Sequence, residues 1–399
     1  METQTVTEQP SFIPAPTQSE PQASSRPRQW ASDEERLEAF GKAMDEIRKR
    51  TEAKIGAEDV DYIKKVRRFS TAMEVIGRGL IHFSFEPVTF LAGVGALWLH
   101  RQLESTEIGH TALHGAFDGL PGAEKFDSKK FWWDTPIDEA SWRYAHNVRH
   151  HQYTNIVGKD PDVRFGPVRL NPAVPYNESH QNQIRNTIFS WLSFGAGINA
   201  HVTGLADFFD TSRKGPEDFD HIEKRDLKTL ATGLRKALRK WIPYYAKEYV
   251  LFPLLAGPFF WKVALGNFLA QTIADVYSAA TIYCGHIGED VKDYAAGTRA
   301  RGRGEWYAMQ VEGASNFEVP LPVSQLCGAL DRQIEHHLFP KFPTNRLREV
   351  SSEVKRVCEE HGVAYRTGTW GERLQEVYRR LTDLSKPDAR PMPKLGEVV

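Results

Sequence analysis

Three clusters of histidines, spread along most of the chain, constrain this sequence more than any other feature. They are His110-Thr-Ala-Leu-His114, His146-Asn-Val-Arg-His150-His151 and Gln333-Ile-Glu-His336-His337. On an α-helix, side chains four residues apart project from the same face, so each pair can present two imidazoles to one metal ion or to two neighbouring ions. A fold that uses all three clusters must bring them together.

The ligand types in these clusters restrict the kind of metal centre. The seven histidines outnumber the three or four ligands that one zinc ion takes. Cys284, Cys327 and Cys358 are scattered and form no C-x-x-C pair, which excludes a cysteine zinc site and a disulfide scaffold. An imidazole-rich set without thiolates suits iron, copper, zinc or nickel.

Two apolar regions decide the predicted architecture. The first contains stretches at about 69–86 and 87–105, and the second, 249–286, has the length of two further helices. Basic clusters at 64–68 and 235–240 precede these regions, and the positive-inside bias places both clusters in the cytoplasm. We predict an all-α integral membrane protein with about four transmembrane helices in two hairpins. A large helical cytoplasmic cap would hold the metal site.

The rest of the chain fits one domain between two tails. We predict a disordered tail over 1–31, a single domain over 32–385 and a flexible tail over 386–399. The uncharged stretch 186–206 would lie in the membrane interface without crossing, because a true span would keep the histidine clusters apart. The alternative is that the apolar stretches are core helices of a soluble enzyme. Basic residues (51) balance acidic residues (52), so no nucleic-acid partner is expected.

Helical periodicity predicts amphipathic helices in the cap. One begins at a capping sequence, Ser32-Asp-Glu-Glu35, and two more lie near the C-terminus. The apolar positions of the first are Leu37, Phe40, Met44 and Ile47, those of the second are Leu347, Val350, Val354 and Val357, and the third covers roughly 370–384.

The sequence around the histidines resembles the membrane fatty-acid desaturase superfamily, whose histidines hold a non-haem diiron centre. The matching segments are Trp142-Arg-Tyr-Ala-His146-Asn-Val-Arg-His150-His151-Gln-Tyr-Thr-Asn155, Gln333-Ile-Glu-His336-His337-Leu-Phe-Pro340, Ile282-Tyr-Cys-Gly-His286 and Ser315-Asn-Phe317. Within the superfamily the chain is most similar to the actinobacterial acyl-CoA Δ9 (stearoyl-CoA) desaturases. The resemblance covers about 35–385.

The resemblance implies a ligand set for two iron ions. Animal acyl-CoA desaturases have a histidine where this chain has Gln333, so this chain has eight candidate histidines. Gln333 could bind the metal through its amide oxygen, hold a water molecule or contact the ligands from outside. Those enzymes also have an asparagine at the position of Ile282, and we expect Asn316 to compensate at the cofactor. The implied metal ligands are His110, His114, His146, His150, His151, His286, His336 and His337.

The resemblance also implies the reaction and its partners. We expect an O2-dependent membrane fatty acyl desaturase that inserts a cis double bond into a long-chain acyl-CoA at Δ9 or into an acyl-lipid, with no catalytic residue beyond the ligands. No dinucleotide fingerprint, rubredoxin-type cysteine set or haem motif is present, so electrons must come from a separate protein. By resemblance that protein is an NADPH-dependent flavin and iron–sulfur reductase. The enzyme would be a multi-pass protein of the cell (inner) membrane, with its active site and both termini cytoplasmic.

Residues near the clusters are candidates for supporting roles. Carboxylates can orient metal-bound imidazoles through their N–H groups. Aromatic residues can line an acyl tunnel or a reductase-binding face, and arginines can meet a CoA phosphate. The candidates are Glu107, Asp160, Asp162 and Glu335, then Trp132, Trp133 and Trp142, and finally Arg143 and Arg149.

Three other functions remain open. A lipid or alkane hydroxylase of the same superfamily would share the iron site. A soluble ferritin-like diiron enzyme needs two Glu-x-x-His motifs, and this chain has only Glu107-Ile-Gly-His110. A non-catalytic histidine-rich metal-binding membrane protein would need none of the sequence that surrounds the third cluster.

Overall fold

The computed structural model describes residues 30–387 except residue 212 and residues 214–218. Most of this part of the chain is helical, in agreement with the predicted class. The predicted tails, 1–31 and 386–399, lie almost entirely outside the described residues. Strands β1 (Arg164–Phe165) and β2 (Val168–Arg169) form an antiparallel hairpin.

The α-helices are α1 (Asp33–Glu52), α2 (Ala57–Phe83), α3 (Pro87–Leu103), α4 (Thr111–Leu113), α5 (Glu139–Arg143), α6 (His151–Tyr153), α7 (Gln183–Leu192), α8 (Phe194–Val202), α9 (Leu205–Phe209), α10 (Leu227–Ala246), α11 (Phe252–Leu255), α12 (Phe260–His286), α13 (Arg303–Glu312), α14 (Leu321–Cys327), α15 (Gln333–Leu338), α16 (Thr344–Glu360) and α17 (Trp370–Leu384). Turns of π-helix cover Glu104–His110, Tyr144–His150 and Lys247–Leu251. Turns of 3₁₀-helix cover Glu124–Phe126, Pro161–Val163, Glu178–Asn182, Gly257–Phe259 and Leu330–Arg332.

The amphipathic helices of the cap form as predicted. The Ser32 side chain accepts a hydrogen bond from the Glu35 amide (3.1 Å) and caps α1. Helix α1 packs against α13 and α16, and a Cβ added at Gly304 would lie 1.8 Å from the Leu37 carbonyl oxygen, so this crossing requires glycine. The core between these helices contains the predicted residues Phe40, Met44, Ile47, Leu347, Val350, Val354 and Val357.

Helices α2 and α3 form the first predicted hairpin. The two backbones approach closely at glycines, since a Cβ added at Gly77 would lie 2.6 Å from the Leu97 amide nitrogen. Helix α12 packs against α3 and also contacts α2. In the part of the chain that the structure describes, no helix combines the length and the apolar character needed to cross a membrane. The four transmembrane helices therefore stay a prediction.

The second apolar region differs from the prediction. Residues 249–286 do not form two similar helices: α12 takes most of them, and the short α11 packs against it. The left-handed turn at Gly257 (φ 54°) separates the short helix from the long one. The stretch 186–206 is divided among α7, α8 and α9, with breaks at Ser193 and Gly204, so it forms no continuous spanning helix.

Candidate metal centre

The first two histidine clusters overlap two π-helical turns: His110, His146 and His150 lie in these turns, whereas His114 and His151 lie just beyond them. Glu104–His110 and Tyr144–His150 are wider than α-helix, a rare geometry that is frequent at functional sites. The first turn packs so tightly that a Cβ added at Gly109 would lie 1.9 Å from Nε1 of Trp133. The Trp133 indole in turn donates a hydrogen bond to the Glu104 carbonyl (2.9 Å). The turn is therefore held by a residue outside the cluster.

The structure brings all eight predicted histidines together: seven form two groups, and His151 lies between the groups. Within each group, one nitrogen from every ring lies within 4.8 Å of the others. Nε2 of His151 lies 3.2 Å from Nε2 of His146, and its ring stacks on the ring of His337 at 4.4 Å, so His151 joins the groups. The first group is His110, His114, His146 and His336, and the second is His150, His286 and His337.

The ring nitrogens of neighbouring histidines approach one another closely. Nε2 of His110 lies 3.2 Å from that of His146, and Nε2 of His286 lies 3.1 Å from that of His337. Burial lowers the pKa of His110 to about 3, because charging an imidazole in this interior is costly. Burial likewise lowers the pKa of His114, His146, His151, His336 and His337 well below its usual value.

Neutral imidazoles whose lone pairs meet at a common point are the donor set of a metal site. Nε2 of His336 is buried and has no hydrogen-bond partner among the described residues. A cation between the rings would use this nitrogen and explain the close approach of the others. With imidazoles and no thiolate, the residues fit iron.

His150 differs from the other rings because a carboxylate holds it. Its Nδ1 lies 3.0 Å from the buried Asp160 carboxylate. Burial disfavours the charged ring, but Asp160 outweighs that effect and raises the pKa of His150 to about 9. A metal ion bound at Nε2 would displace the proton there, while the proton on Nδ1 would stay hydrogen-bonded to Asp160. Asp162 lies farther off, 3.6 Å from the same Nδ1 and 3.5 Å from Nε2 of His201.

Two residues that the sequence did not indicate hold His337. Its Nδ1 lies 3.1 Å from Thr154 Oγ1 and 3.1 Å from Gln310 Oε1. The Thr154 hydroxyl also donates to Gln310 (2.8 Å), and all three side chains are buried. Thr154 follows the second cluster directly, whereas Gln310 comes from α13, which carries no histidine.

Gln333 lies beside the second group. Its Nε2 is 2.7 Å from Nε2 of His286, and its Oε1 is buried with no hydrogen-bond partner in the described part of the chain. Exchanging the amide nitrogen and oxygen, which have nearly the same shape, would point the oxygen at the centre. The side chain is packed against Gly285, where an added Cβ would lie 2.8 Å from Gln333 Cγ.

Asn316 lies behind the third cluster, and its hydrogen-bond partners in the described part of the chain do not include a histidine ring. Its Oδ1 accepts a hydrogen bond from the Ile334 amide (2.9 Å), and its Nδ2 donates to Glu335 Oε2 (2.8 Å) and to the Tyr365 hydroxyl (2.6 Å). Burial raises the pKa of Glu335 to about 7. Asn316 therefore supports the backbone and the carboxylate next to His336.

The other two candidate carboxylates do not orient a histidine of the clusters through any contact in the described part of the chain. Glu335 pairs with Asn316 and Tyr365. Glu107 is buried and pairs with Arg348 (2.9 Å), and it accepts a hydrogen bond from Thr344 (2.6 Å). Glu107 thus ties the first π-helical turn to α16.

A mostly apolar cavity opens beside the histidines. Helices α8 and α12 form two of its walls, and the eleven residue steps from Asp275 to His286 give it a depth of about 16 Å along α12. At the end of the cavity remote from the histidines, Asp275 Oδ1 accepts a hydrogen bond from the Gly195 amide (3.1 Å). Lining residues include Trp133, Ile137, Trp142, Phe165, Phe194, Ile198, Val202, Ser278, Ile282 and Tyr283.

Of the three candidate tryptophans, two line this cavity. Trp142 stacks on His146 with ring centroids 4.4 Å apart, and Trp133 lies behind it. Trp132 is 55% exposed and outside the cavity. The candidate arginines contact backbone carbonyls: Arg143 donates to Ser128 (2.7 Å) and Arg149 to Lys159 (3.1 Å).

Comparison with known proteins agrees with these features. A family model described as fatty acid desaturase matches residues 85–369. An NADPH-dependent stearoyl-CoA 9-desaturase of Mycobacterium tuberculosis is 31% identical over 358 residues, which cover 88% of this chain and 81% of the relative. An sn-1 linoleoyl-lipid 6-desaturase of Synechocystis sp. is 26% identical over 312 residues, which cover 76% of this chain and 83% of the relative.

Proposed function

Because this chain belongs to the fatty acid desaturase family, we propose that it inserts a cis double bond at Δ9 of a long-chain acyl-CoA in an O2-dependent reaction. The observation that carries this proposal is the convergence of two histidine groups at one end of a deep apolar cavity. The similarity to a stearoyl-CoA 9-desaturase over most of the chain supports the choice of acyl-CoA and of Δ9.

Two iron ions would occupy the histidine groups. His110, His114, His146 and His336 would hold one ion, and His150, His286 and His337 the other, with His151 between them. The second group has one histidine fewer, and the Gln333 amide oxygen would complete it. The buried carboxylate of Asp160 and the Thr154–Gln310 pair would fix the orientation of two of these rings.

The iron pair, when bound, would supply the oxidising power that breaks unactivated C–H bonds. The overall reaction takes one –CH2–CH2– unit, O2, two electrons and two protons, and gives one –CH=CH– unit and two H2O. The chain's own residues would place the substrate. The cavity excludes water along the acyl chain and presents one pair of methylene groups to the histidine end, where Trp142 covers His146.

The two electrons would come from a separate NADPH-dependent flavin and iron–sulfur reductase. The name of the mycobacterial relative, which is NADPH-dependent, supports this source. The chain itself has no dinucleotide-binding fingerprint to take electrons from NADPH directly.

A lipid bilayer would cover the apolar side chains at the ends of the hairpin helices. Large exposed apolar residues are concentrated there, which is unusual for a surface in water. We assign the protein to the cell (inner) membrane, multi-pass, with the active site and both termini cytoplasmic, on the side of the basic clusters 64–68 and 235–240. The exposed residues include Phe83, Phe85, Val88, Leu254, Leu255 and Trp261. Extraction tests this assignment: carbonate at pH 11 should leave the protein in the membrane pellet.

Product analysis tests the reaction. Iron-loaded protein in detergent, given stearoyl-CoA, O2 and an NADPH-driven electron donor, should form an 18-carbon product with a double bond at carbon 9, located by mass spectrometry after derivatisation. A hydroxylated product, or none from iron-loaded protein, would contradict the proposal. His337→Ala should abolish the product. His361→Ala is the control, since His361 packs against Phe40 in the cap.

A further inference from the structure

A second set of metal-ligating side chains lies where the α2–α3 hairpin meets the loop that follows the first histidine cluster. Its members are Glu74 of α2, His100 of α3 and Asp134, which directly follows Trp133. One ligand atom of each residue lies within 4.8 Å of the other two. We call these three residues the junction cluster. It shares no residue with either histidine group.

The hydrogen bonds of His100 leave one ring nitrogen for a metal ion. The side chain is buried, and its Nδ1 lies 3.1 Å from the Ser70 carbonyl oxygen. A carbonyl oxygen only accepts, so the proton of the neutral ring is on Nδ1 and the lone pair is on Nε2. A backbone carbonyl behind the ring is also a usual partner of a metal-bound histidine.

Three acceptor atoms of the junction cluster face one another. Nε2 of His100 lies 3.6 Å from Glu74 Oε2 and 3.9 Å from Asp134 Oδ2, beyond the range of about 2.7–3.2 Å for an N–H···O hydrogen bond. Among the described residues this nitrogen has no hydrogen-bond partner. Ligands about 2.1 Å from a tetrahedral zinc ion are about 3.4 Å apart, so an ion between the three atoms needs only a small inward shift.

Two cations hold the carboxylates from outside. Arg78 Nε donates to Glu74 Oε1 (3.0 Å) and leaves Oε2 facing His100, whereas Lys247 Nζ donates to both oxygens of Asp134 (2.6 and 2.7 Å). Carboxylates that bind metal ions are commonly hydrogen-bonded in this way. Because Lys247 uses the oxygen that faces His100, it competes with a metal ion for Asp134. Arg78 and the ion would use different oxygens of Glu74.

We propose that Glu74, His100 and Asp134 form a zinc site separate from the histidine centre. One imidazole, two carboxylates and a water molecule in the fourth position are a set that zinc accepts. The ion joins α2, α3 and the loop of Trp133, whose indole holds the first π-helical turn through the Glu104 carbonyl. Bound zinc therefore stabilises the junction between the hairpin and the cap. Zinc binding here is independent of the proposed desaturase reaction.

Metal counting on full-length protein in detergent tests the site. Metal-free protein is equilibrated with micromolar free zinc, excess zinc is removed by gel filtration, and the zinc that remains is counted by mass spectrometry of the metal. His100→Phe keeps a ring but removes the nitrogen, and Glu74→Gln removes the carboxylate charge. Asp61→Asn is the control, because Asp61 is exposed on the same helix as Glu74.

Both site variants should retain one zinc ion fewer per chain than the wild type and Asp61→Asn, because loss of a ligand weakens zinc binding about ten-fold or more. Lys247→Met should instead tighten zinc binding about ten-fold, since it removes a competing charge next to Asp134. A variant that fails to fold cannot show this gain. In iron-loaded protein, the zinc X-ray absorption spectrum should show a single imidazole ligand.

Three results would overturn the proposal. Equal zinc retention in the wild type, His100→Phe and Glu74→Gln would place the zinc elsewhere. Unchanged or weaker zinc binding in Lys247→Met would remove Asp134 from the ligand set. An absorption spectrum with three or more imidazoles would assign the zinc to the histidine centre.

Discussion

Asp160 lies 3.0 Å from Nδ1 of His150, and both side chains are buried beside the second histidine group. The carboxylate also accepts hydrogen bonds from the amides of Asn155 (2.7 Å) and Asp162 (2.9 Å). These bonds fix the carboxylate, and the carboxylate in turn fixes the histidine ring. Metal binding at this group should therefore depend on a residue that is not itself a ligand.

Asp160→Asn should weaken iron binding by about 10- to 100-fold, because an amide holds the ring less firmly and makes its nitrogen less basic. Iron retained against a graded chelator measures the effect. Glu107→Gln is the control, since Glu107 is also buried but pairs with Arg348 and contacts no histidine of the clusters among the described residues. Equal iron retention in the Asp160 variant and the wild type would show that this pair does not support the metal.

Stability of the metal-free protein should fall as the pH drops below about 6.5. Burial lowers the pKa of His110 to about 3, so the unfolded chain, whose histidines titrate near 6.5, binds protons that the folded chain does not bind. His150 acts in the opposite direction: its pKa of about 9 adds stability at low pH that is lost as the pH rises through 9. The buried histidines whose pKa is lowered outnumber His150, so their effect on stability dominates.

Thermal unfolding of metal-free protein in detergent, measured from pH 5 to 8, checks this expectation. The midpoint should rise with pH over the lower part of this range. A midpoint that is constant or falls between pH 5 and 6.5 would mean that the histidines are not buried as neutral rings.

Gln333→Leu should reduce the iron content, because leucine keeps the volume of the side chain but removes the amide oxygen beside His286. Gln333→His would supply a nitrogen in its place and should keep two irons per chain. Iron analysis together with Mössbauer spectra, which report the ligands of each ion, distinguishes the two variants. Two normally bound irons in Gln333→Leu would remove Gln333 from the ligand set.

Gly195→Leu should shift the enzyme toward shorter acyl chains. A Cβ at this position would already lie 3.2 Å from Asp275 Oδ1 and 3.2 Å from Pro136 Cγ, so a larger side chain must extend into the remote end of the cavity. Competition between stearoyl-CoA and myristoyl-CoA measures the preference. Ala196→Leu, at a partly exposed position of the same helix outside the cavity lining, serves as the control. An unchanged preference would place the methyl end of the substrate elsewhere.

The convergence of the histidines could be predicted from sequence, whereas the geometry that produces it could not. The spacing of His146 and His150 suggested an ordinary α-helix, because side-chain spacing does not reveal the hydrogen-bond shift of a π-helical turn. The tight contact at Gly109 depends on Trp133, which reaches it through the tertiary fold. The spacing of the histidines in the sequence therefore indicates which residues are ligands, but it does not indicate which residues hold those ligands in place.

The residues around the ligands show the same limit. Asp160 was one of four carboxylate candidates, and only the folded loop shows that it contacts a ring at hydrogen-bond distance while Glu107 pairs with Arg348. Gln310 could not be found at all, because α13 contains no histidine and only the fold brings Gln310 to His337. Asn316 was expected at the cofactor, but it holds the Ile334 amide instead.

Iron content tests the central claim most directly. Detergent-purified wild-type protein, grown with iron supplied, should contain about two irons per chain by mass spectrometry of the metal, as two histidine groups require. His150→Ala should lose iron while remaining folded, as judged by circular dichroism. Zinc alone, or no metal in well-folded wild-type protein, would contradict the diiron assignment and with it the oxidative reaction.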